Sequence, residues 1–225
     1  MIFISFLISV SFINLNRKGN DVLKTYNNKP KIIIDAGHGG FDGGATTKDG
    51  IVEKDINLNI ALYLKDYLTF FGFDVLMTRE IDESTEDEGL TSIRSKKTSD
   101  LHNRMNIMSE TDNAIFVSIH QNSYPVSKYS GAQVFYSKNF SSESSDLAQK
   151  IQENIVYYLQ PENTRQIKPC GTSVYLIYNA VKPAVLVECG FLSNYEEAEL
   201  LNSGDYQKKM ANSIAIGILE FYGGQ

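Results

Sequence analysis

Hydrophobic positions along this chain fall into two patterns that alternate. Short, unbroken apolar runs occur at 31–35 (KIIID), 73–77, 114–119 (AIFVSI), 131–136 (GAQVFY) and 184–187 (AVLV), rich in β-branched residues and bounded by turn residues. Runs of that kind read as strands buried on both faces, the mark of a parallel sheet. Between them lie stretches whose apolar residues recur three or four apart. Ile56, Ile60, Leu64 and Leu68, with Ala61 and Phe71 on the same side, predict a helix over 55–71 that Gly72 closes. Leu147, Ile151, Ile155 and Leu159 predict a second over 144–158, stopped by Pro161; Met210, Ile214, Ile218 and Phe221 predict a last one over 205–221. A shorter helix is expected around 101–109, a long surface loop over 81–98, and a short strand at 174–177. The alternation implies one α/β domain from about residue 31 to the end, a mostly parallel twisted sheet with helices on both faces.

The first thirty residues break the pattern. Residues 1–15 are almost wholly apolar, too short for a span of about 20 residues, and read as a signal or anchor segment. Arg17 and Lys18 lie on its far side, so charge placement sets no clean export orientation. Residues 16–30 are polar and read as a linker, with the domain proper spanning 31–225. Location outside the cytoplasm, by export or membrane anchoring through residues 1–15, is the expectation. A net charge of −6 leaves no basic footprint for nucleic acid. Cys170 and Cys189 fit neither a CxxC zinc pattern nor a disulfide framework, and burial is the expected fate of Cys189.

Chemistry enters where the strands stop. The run 31–35 leads into Ala36-Gly37-His38-Gly39-Gly40, the run 114–119 stops at His120, and the run 184–187 stops at Glu188. In open α/β sheets ligands bind beyond the carboxyl ends of the strands, so two histidines and a carboxylate distant in sequence are expected to converge. The Gly-rich loop is not a nucleotide site: no Gly-Lys-Ser/Thr ends it, and Asp42 stands where a dinucleotide fingerprint needs glycine. His102, on a helix among polar residues, is expected to be structural. Catalytic zinc commonly takes two histidines and a glutamate. Residue spacing leaves the third ligand open between Glu53, Asp42 and Asp55. Asp35 and Asn122 are candidates to fix the imidazole tautomers, and Arg79 to pair with substrate or structure.

Six strings, IIIDAGHGGFDGGA, VEKDINLNIALYL, VLMTR, FVSIHQNS, GAQVFY and PAVLVECGFLSN, together resemble in order and spacing the zinc-dependent N-acetylmuramoyl-L-alanine amidases of the Amidase_3 type. The resemblance runs from about residue 31 to 222. It implies that His38, Glu53 and His120 bind Zn²⁺ and that Glu188 is the catalytic carboxylate. It also implies peptidoglycan as substrate, cut between muramic acid and L-alanine. Arg94-Ser95-Lys96-Lys97 and Glu162-Asn163-Thr164-Arg165 are similar to the spore-cortex, germination-related branch. Members of that branch help convert muramic acid side chains toward the δ-lactam. That likeness implies action between the two membranes of a developing spore and an accessory protein for metal loading or access. The segment Arg104–Ser109 departs from the family's usual wording. A silent peptidoglycan-binding module and a peptidase acting within the stem peptide are the competing readings.

Overall fold

The computed structural model describes residues 29–223, so the apolar segment 1–15 and nearly all of the linker lie outside the described residues. From Lys31 onward the chain forms one unit built on a six-stranded sheet. The strands are β1 (Lys31–Ala36), β2 (Val75–Met77), β3 (Ala114–Asn122), β4 (Gln133–Tyr136), β5 (Lys168–Pro169) and β6 (Ala184–Phe191). Their order is β2-β1-β3-β6-β4-β5. All neighbours run parallel except β4 and β6, which are antiparallel. The helices are α1 (Glu53–Phe70), α2 (Ile93–Glu110), α3 (Ser141–Tyr158), the single turn α4 (Tyr175–Tyr178), α5 (Tyr195–Leu201) and α6 (Gly204–Gly223).

Side chains alternate across the sheet, as the pleat requires. Ile32, Ile34, Val117, Ile119, Val185 and Val187 join α1, α3 and α6 in the larger apolar cluster. Ile33, Phe116, Ala184 and Leu186 face the other way, onto Met108 of α2 and Leu176 and Ile177 of α4. The expected three-layer α/β architecture is therefore what folds. Cys170 and Cys189 are free and belong to opposite clusters, so no bridge joins them.

Two local expectations are corrected. The loop expected over 81–98 ends earlier, because α2 starts at Ile93: Ser92 caps it by accepting a bond from the Ser95 amide at 3.0 Å. Its first two turns escape detection because they bury no apolar stripe. Where a short strand is expected at 174–177, the chain forms a helical turn, Tyr175–Tyr178. The short β5 and α5 were not foreseen; each is too brief for periodicity to register.

Helices α3 and α6 approach so closely that a Cβ added at Gly217 would sit 2.6 Å from the Ile151 Cα and 2.9 Å from the Lys150 carbonyl oxygen. Both are backbone atoms and cannot step aside. Gly217→Ala is therefore expected to destabilise by about 1–3 kcal/mol, although alanine is the better helix former by about 1 kcal/mol. Chemical denaturation of both chains measures the sign.

Candidate metal centre

The site forms beyond the carboxyl ends of β1, β3 and β6, around the point where the chain leaves β1 for β2 on one side and β3 lies on the other. In-register pairing of β3 and β6 puts His120 opposite Glu188. Parallel strands point paired residues to the same face, so both side chains emerge on the α2 side. Gly37 pairs its amide with the Ile119 carbonyl at 3.1 Å, and a Cβ there would lie 2.2 Å from His120 Nε2. Glycine at 37 is what lets the imidazole lie against β1.

His38 follows with φ of 61°, a left-handed conformation rare outside glycine. A tight turn then pairs Gly39 and Asp42 through both backbone bonds, 2.9 and 3.0 Å, and folds Asp42 back so that Oδ2 lies 3.0 Å from His38 Nδ1. The chain next makes a narrow excursion closed by Thr46 and Val52 and returns to Glu53, whose amide bonds the Ala45 carbonyl at 2.9 Å. That return brings a residue fifteen positions downstream against His38. Gly44, φ 68°, is required here: a Cβ would meet Glu53 Oε2 at 2.5 Å and His38 Cδ2 at 2.7 Å.

Glu53 is the hub. Its Oε1 lies 3.2 Å from His38 Nε2 and 3.0 Å from His120 Nδ1, and accepts bonds from the Gln121 amide at 3.1 Å and Asn57 Nδ2 at 3.3 Å. Its Oε2 accepts from the Ala45 amide at 2.8 Å. Burial alone would raise the Glu53 pKa, but the two imidazoles hold it far below the usual carboxylate range. Burial likewise works against a charge on His38, yet the bonds to Asp42 and Glu53 and their charges lift it to about 9. Asp42 is kept low despite burial by His38 and by Lys97, whose Nζ sits 3.0 Å from Oδ1.

One potential ligand atom each from His38, Glu53 and His120 lies within 4.8 Å of the others. Two imidazoles and one carboxylate, with an open side, match the donor set of catalytic zinc. The group behind the histidine fits too, since Asp42 takes Nδ1 of His38 and leaves Nε2 turned inward. Beside this set, Oε2 of Glu188 is buried without a hydrogen-bond partner among the described residues. Burial, opposed by the charge on His120, pushes Glu188 up to about 7. A cleft of about 230 Å³ opens over the two histidines, walled by Asp42, Lys97, Leu101 and Leu176.

The residues expected from sequence thus meet, with exceptions. Asp55 is exposed and turned away, and His102 is exposed on α2 with its ring 5.8 Å from Tyr175. Asp42, rather than Asp35 or Asn122, takes Nδ1 of His38, while Nδ1 of His120 faces Glu53 itself. Asp35 instead binds Arg104, Ser118 and Thr78. Among the described residues Arg79 makes no ion pair: its guanidinium donates to the carbonyls of Ala36, Gly37, Lys54 and Ile81. Arg104 goes unrecognised in the sequence as a site-building residue: its Asp100 partner is a helix neighbour four residues away, and its hold on the site runs through Asp35 and the carbonyls of Ala36 and His38, remote contacts that spacing does not reveal.

The family model described as N-acetylmuramoyl-L-alanine amidase (Amidase_3) matches residues 32–220. The chain belongs to this family. It is 40% identical over 191 residues, 85% of this chain and 79% of the relative, to the germination-specific N-acetylmuramoyl-L-alanine amidase of Bacillus subtilis (strain 168). Among solved structures it resembles the CwlD amidase from Clostridioides difficile in complex with the GerS lipoprotein. That match has a TM-score of 0.83 and 42% identity, and covers 87% of this chain and 100% of that one. The amidase AmiC2 of Nostoc punctiforme matches with a TM-score of 0.72 and 29% identity over 86% of this chain and 97% of that one. The family match spans all six strands.

In the metal-free amidase, protonated His38 stabilises the fold. Its folded pKa, about 9, exceeds the unfolded value of 6.5, so that contribution is complete below about pH 6.5 and is lost as pH rises through about 9. An NMR titration of the ring is expected to give a midpoint near 9, and Asp42→Asn is expected to lower it.

Proposed function

We propose that this chain hydrolyses the amide between the lactyl group of N-acetylmuramic acid and L-alanine in peptidoglycan, with zinc held by His38, Glu53 and His120. Membership of the amidase family supports the bond and the substrate. The observation that carries the chemistry is the buried Oε2 of Glu188, without a hydrogen-bond partner among the described residues and on the strand position paired with His120. A carboxylate kept without a partner beside a cluster of ligand atoms is costly unless it has work to do.

When bound, zinc supplies a Lewis acid that polarises a carbonyl and makes water a competent nucleophile near neutral pH. Glu188 receives the proton of the attacking water and hands it to the departing alanine nitrogen. An acid–base group works best with a pKa near the operating pH, and burial brings Glu188 to about 7. Asp42 keeps His38 in the tautomer that turns Nε2 toward the centre, while the Gln121 amide and Asn57 fix the Glu53 carboxylate. The cleft beside Leu101, Leu176 and Lys97 receives the substrate next to the reacting carbonyl.

Likeness to the germination-specific relative supports a role in spore-cortex peptidoglycan, in the step that leads to muramic δ-lactam. Peptidoglycan lies outside the cytoplasm, so the chain acts there, and an anchor through residues 1–15 is part of the proposal. Among the described residues no helix is long and apolar enough to cross a membrane. A structurally similar amidase was solved with a lipoprotein, which supports an accessory partner for this chain too.

Mass spectrometry of peptidoglycan digested by the zinc-loaded protein tests the reading. Intact stem peptides beginning at L-alanine are expected. Glu188→Gln is expected to bind zinc as the parent does and to lose about 10²–10⁴-fold in rate. Cuts inside the stem peptide would move the chain to the peptidases.

A further inference from the structure

Leu101, Met105 and Ile107 of helix α2 pack, partly buried, against the smaller apolar cluster, and among its 18 residues only Asp100, Arg104 and Met108 are buried. Two of these are charged. Arg104, 1% exposed, spends every N–H it has. Nε and Nη2 donate to the Asp100 carboxylate at 2.9 and 3.2 Å. Nη1 donates to Asp35 Oδ1 at 2.7 Å and to the Ala36 carbonyl at 2.9 Å. Nη2 also donates to the carbonyl of His38 at 2.7 Å. Asp35 is completed by Thr78 Oγ1 at 2.9 Å and Ser118 Oγ at 2.6 Å.

His38 needs such a hold. Its left-handed backbone (φ 61°) is disfavoured for any residue with a Cβ, and a carbonyl left unbonded there would relax toward ordinary geometry. Arg79 steadies the neighbouring carbonyls, Ala36 at 2.9 Å and Gly37 at 3.1 Å, and reaches Lys54, next to Glu53, at 2.8 Å. Neither arginine points a nitrogen at the ligand atoms. Of the two, Arg104 is the one carried on α2.

We infer that Arg104 is a positioning residue for His38, and that the bonds which dock α2 are the same bonds that shape the metal site. The inference rests on the metal reading above. Docking of α2 and ion binding then stabilise each other, because coupling between two sites acts equally in both directions. Lysine at 104 cannot replace the fork, since one ammonium cannot serve Asp35, Asp100 and two carbonyls together.

The test uses the full chain, zinc ion as the probe, and competition with a chelating dye as the readout. Arg104→Lys, confirmed folded by circular dichroism, is expected to bind zinc about 10–100-fold more weakly, the usual loss when an outer-shell support is removed. Ile155→Ala, a cavity on the opposite face with comparable loss of thermal stability, is expected to bind zinc as the parent does. In the parent, zinc is expected to slow amide hydrogen exchange along α2 as well as around His38, Glu53 and His120. Unchanged zinc affinity in folded Arg104→Lys overturns the inference. Should that variant not fold, the exchange measurement decides: protection confined to the ligand segments, with α2 untouched, overturns it. Absence of zinc binding in the parent and the Ile155→Ala control alike would overturn the metal reading itself.

Discussion

The parallel, in-register pairing of β1, β3 and β6 is the constraint from which the site follows. Once Asp35 is paired with Ser118, and Ser118 with Leu186, the pleat assigns His120 and Glu188 to the same face two residues later. A slip of one residue on β3 would turn His120 into the larger apolar cluster and bring Ile119 to the cleft. The apolar residues that alternate between the two faces forbid that slip. Core packing and active-site geometry are therefore one requirement, met by the same register.

The loops between strands and helices do the remaining work with backbone. Positive φ at His38, Gly39, Gly40 and Gly44 lets the segment after β1 coil around a single carboxylate, that of Glu53. Two buried guanidiniums then collect the carbonyls that this coiling leaves without partners. Each imidazole faces Glu53 with one nitrogen, and the carboxylate helps to raise the proton affinity of His38. A divalent ion seated among these atoms would take over the positive charge that the proton supplies in its absence.

Much of this was legible in the sequence. The unbroken runs marked β1, β3 and β6, and their ends carried His38, His120 and Glu188. Glu53 was not separable from Asp42 and Asp55 by spacing, because its approach depends on the excursion from Gly44 to Val52, whose pairing is backbone to backbone. The resemblance to the amidases picked it out, and the fold then brought it to the histidines. The start of α2 was hidden for a different reason: its first two turns bury no apolar residue, and its apolar contacts with the core begin only at Leu101. Asp42 as the partner of His38 was hidden too, since a four-residue turn through two glycines has no period to read.

The two faces of the sheet are unequal. One carries α1, α3 and α6 in a deep apolar layer; the other, onto which His120 and Glu188 emerge, carries a smaller cluster under α2 and the single turn α4. Burial energy scales with apolar area, so the molecule concentrates its cohesion on the side away from the chemistry. The reactive side is then free to open locally without a threat to the whole. An enzyme that must admit a cross-linked polymer strand gains from that division: one face serves as foundation and the other as door.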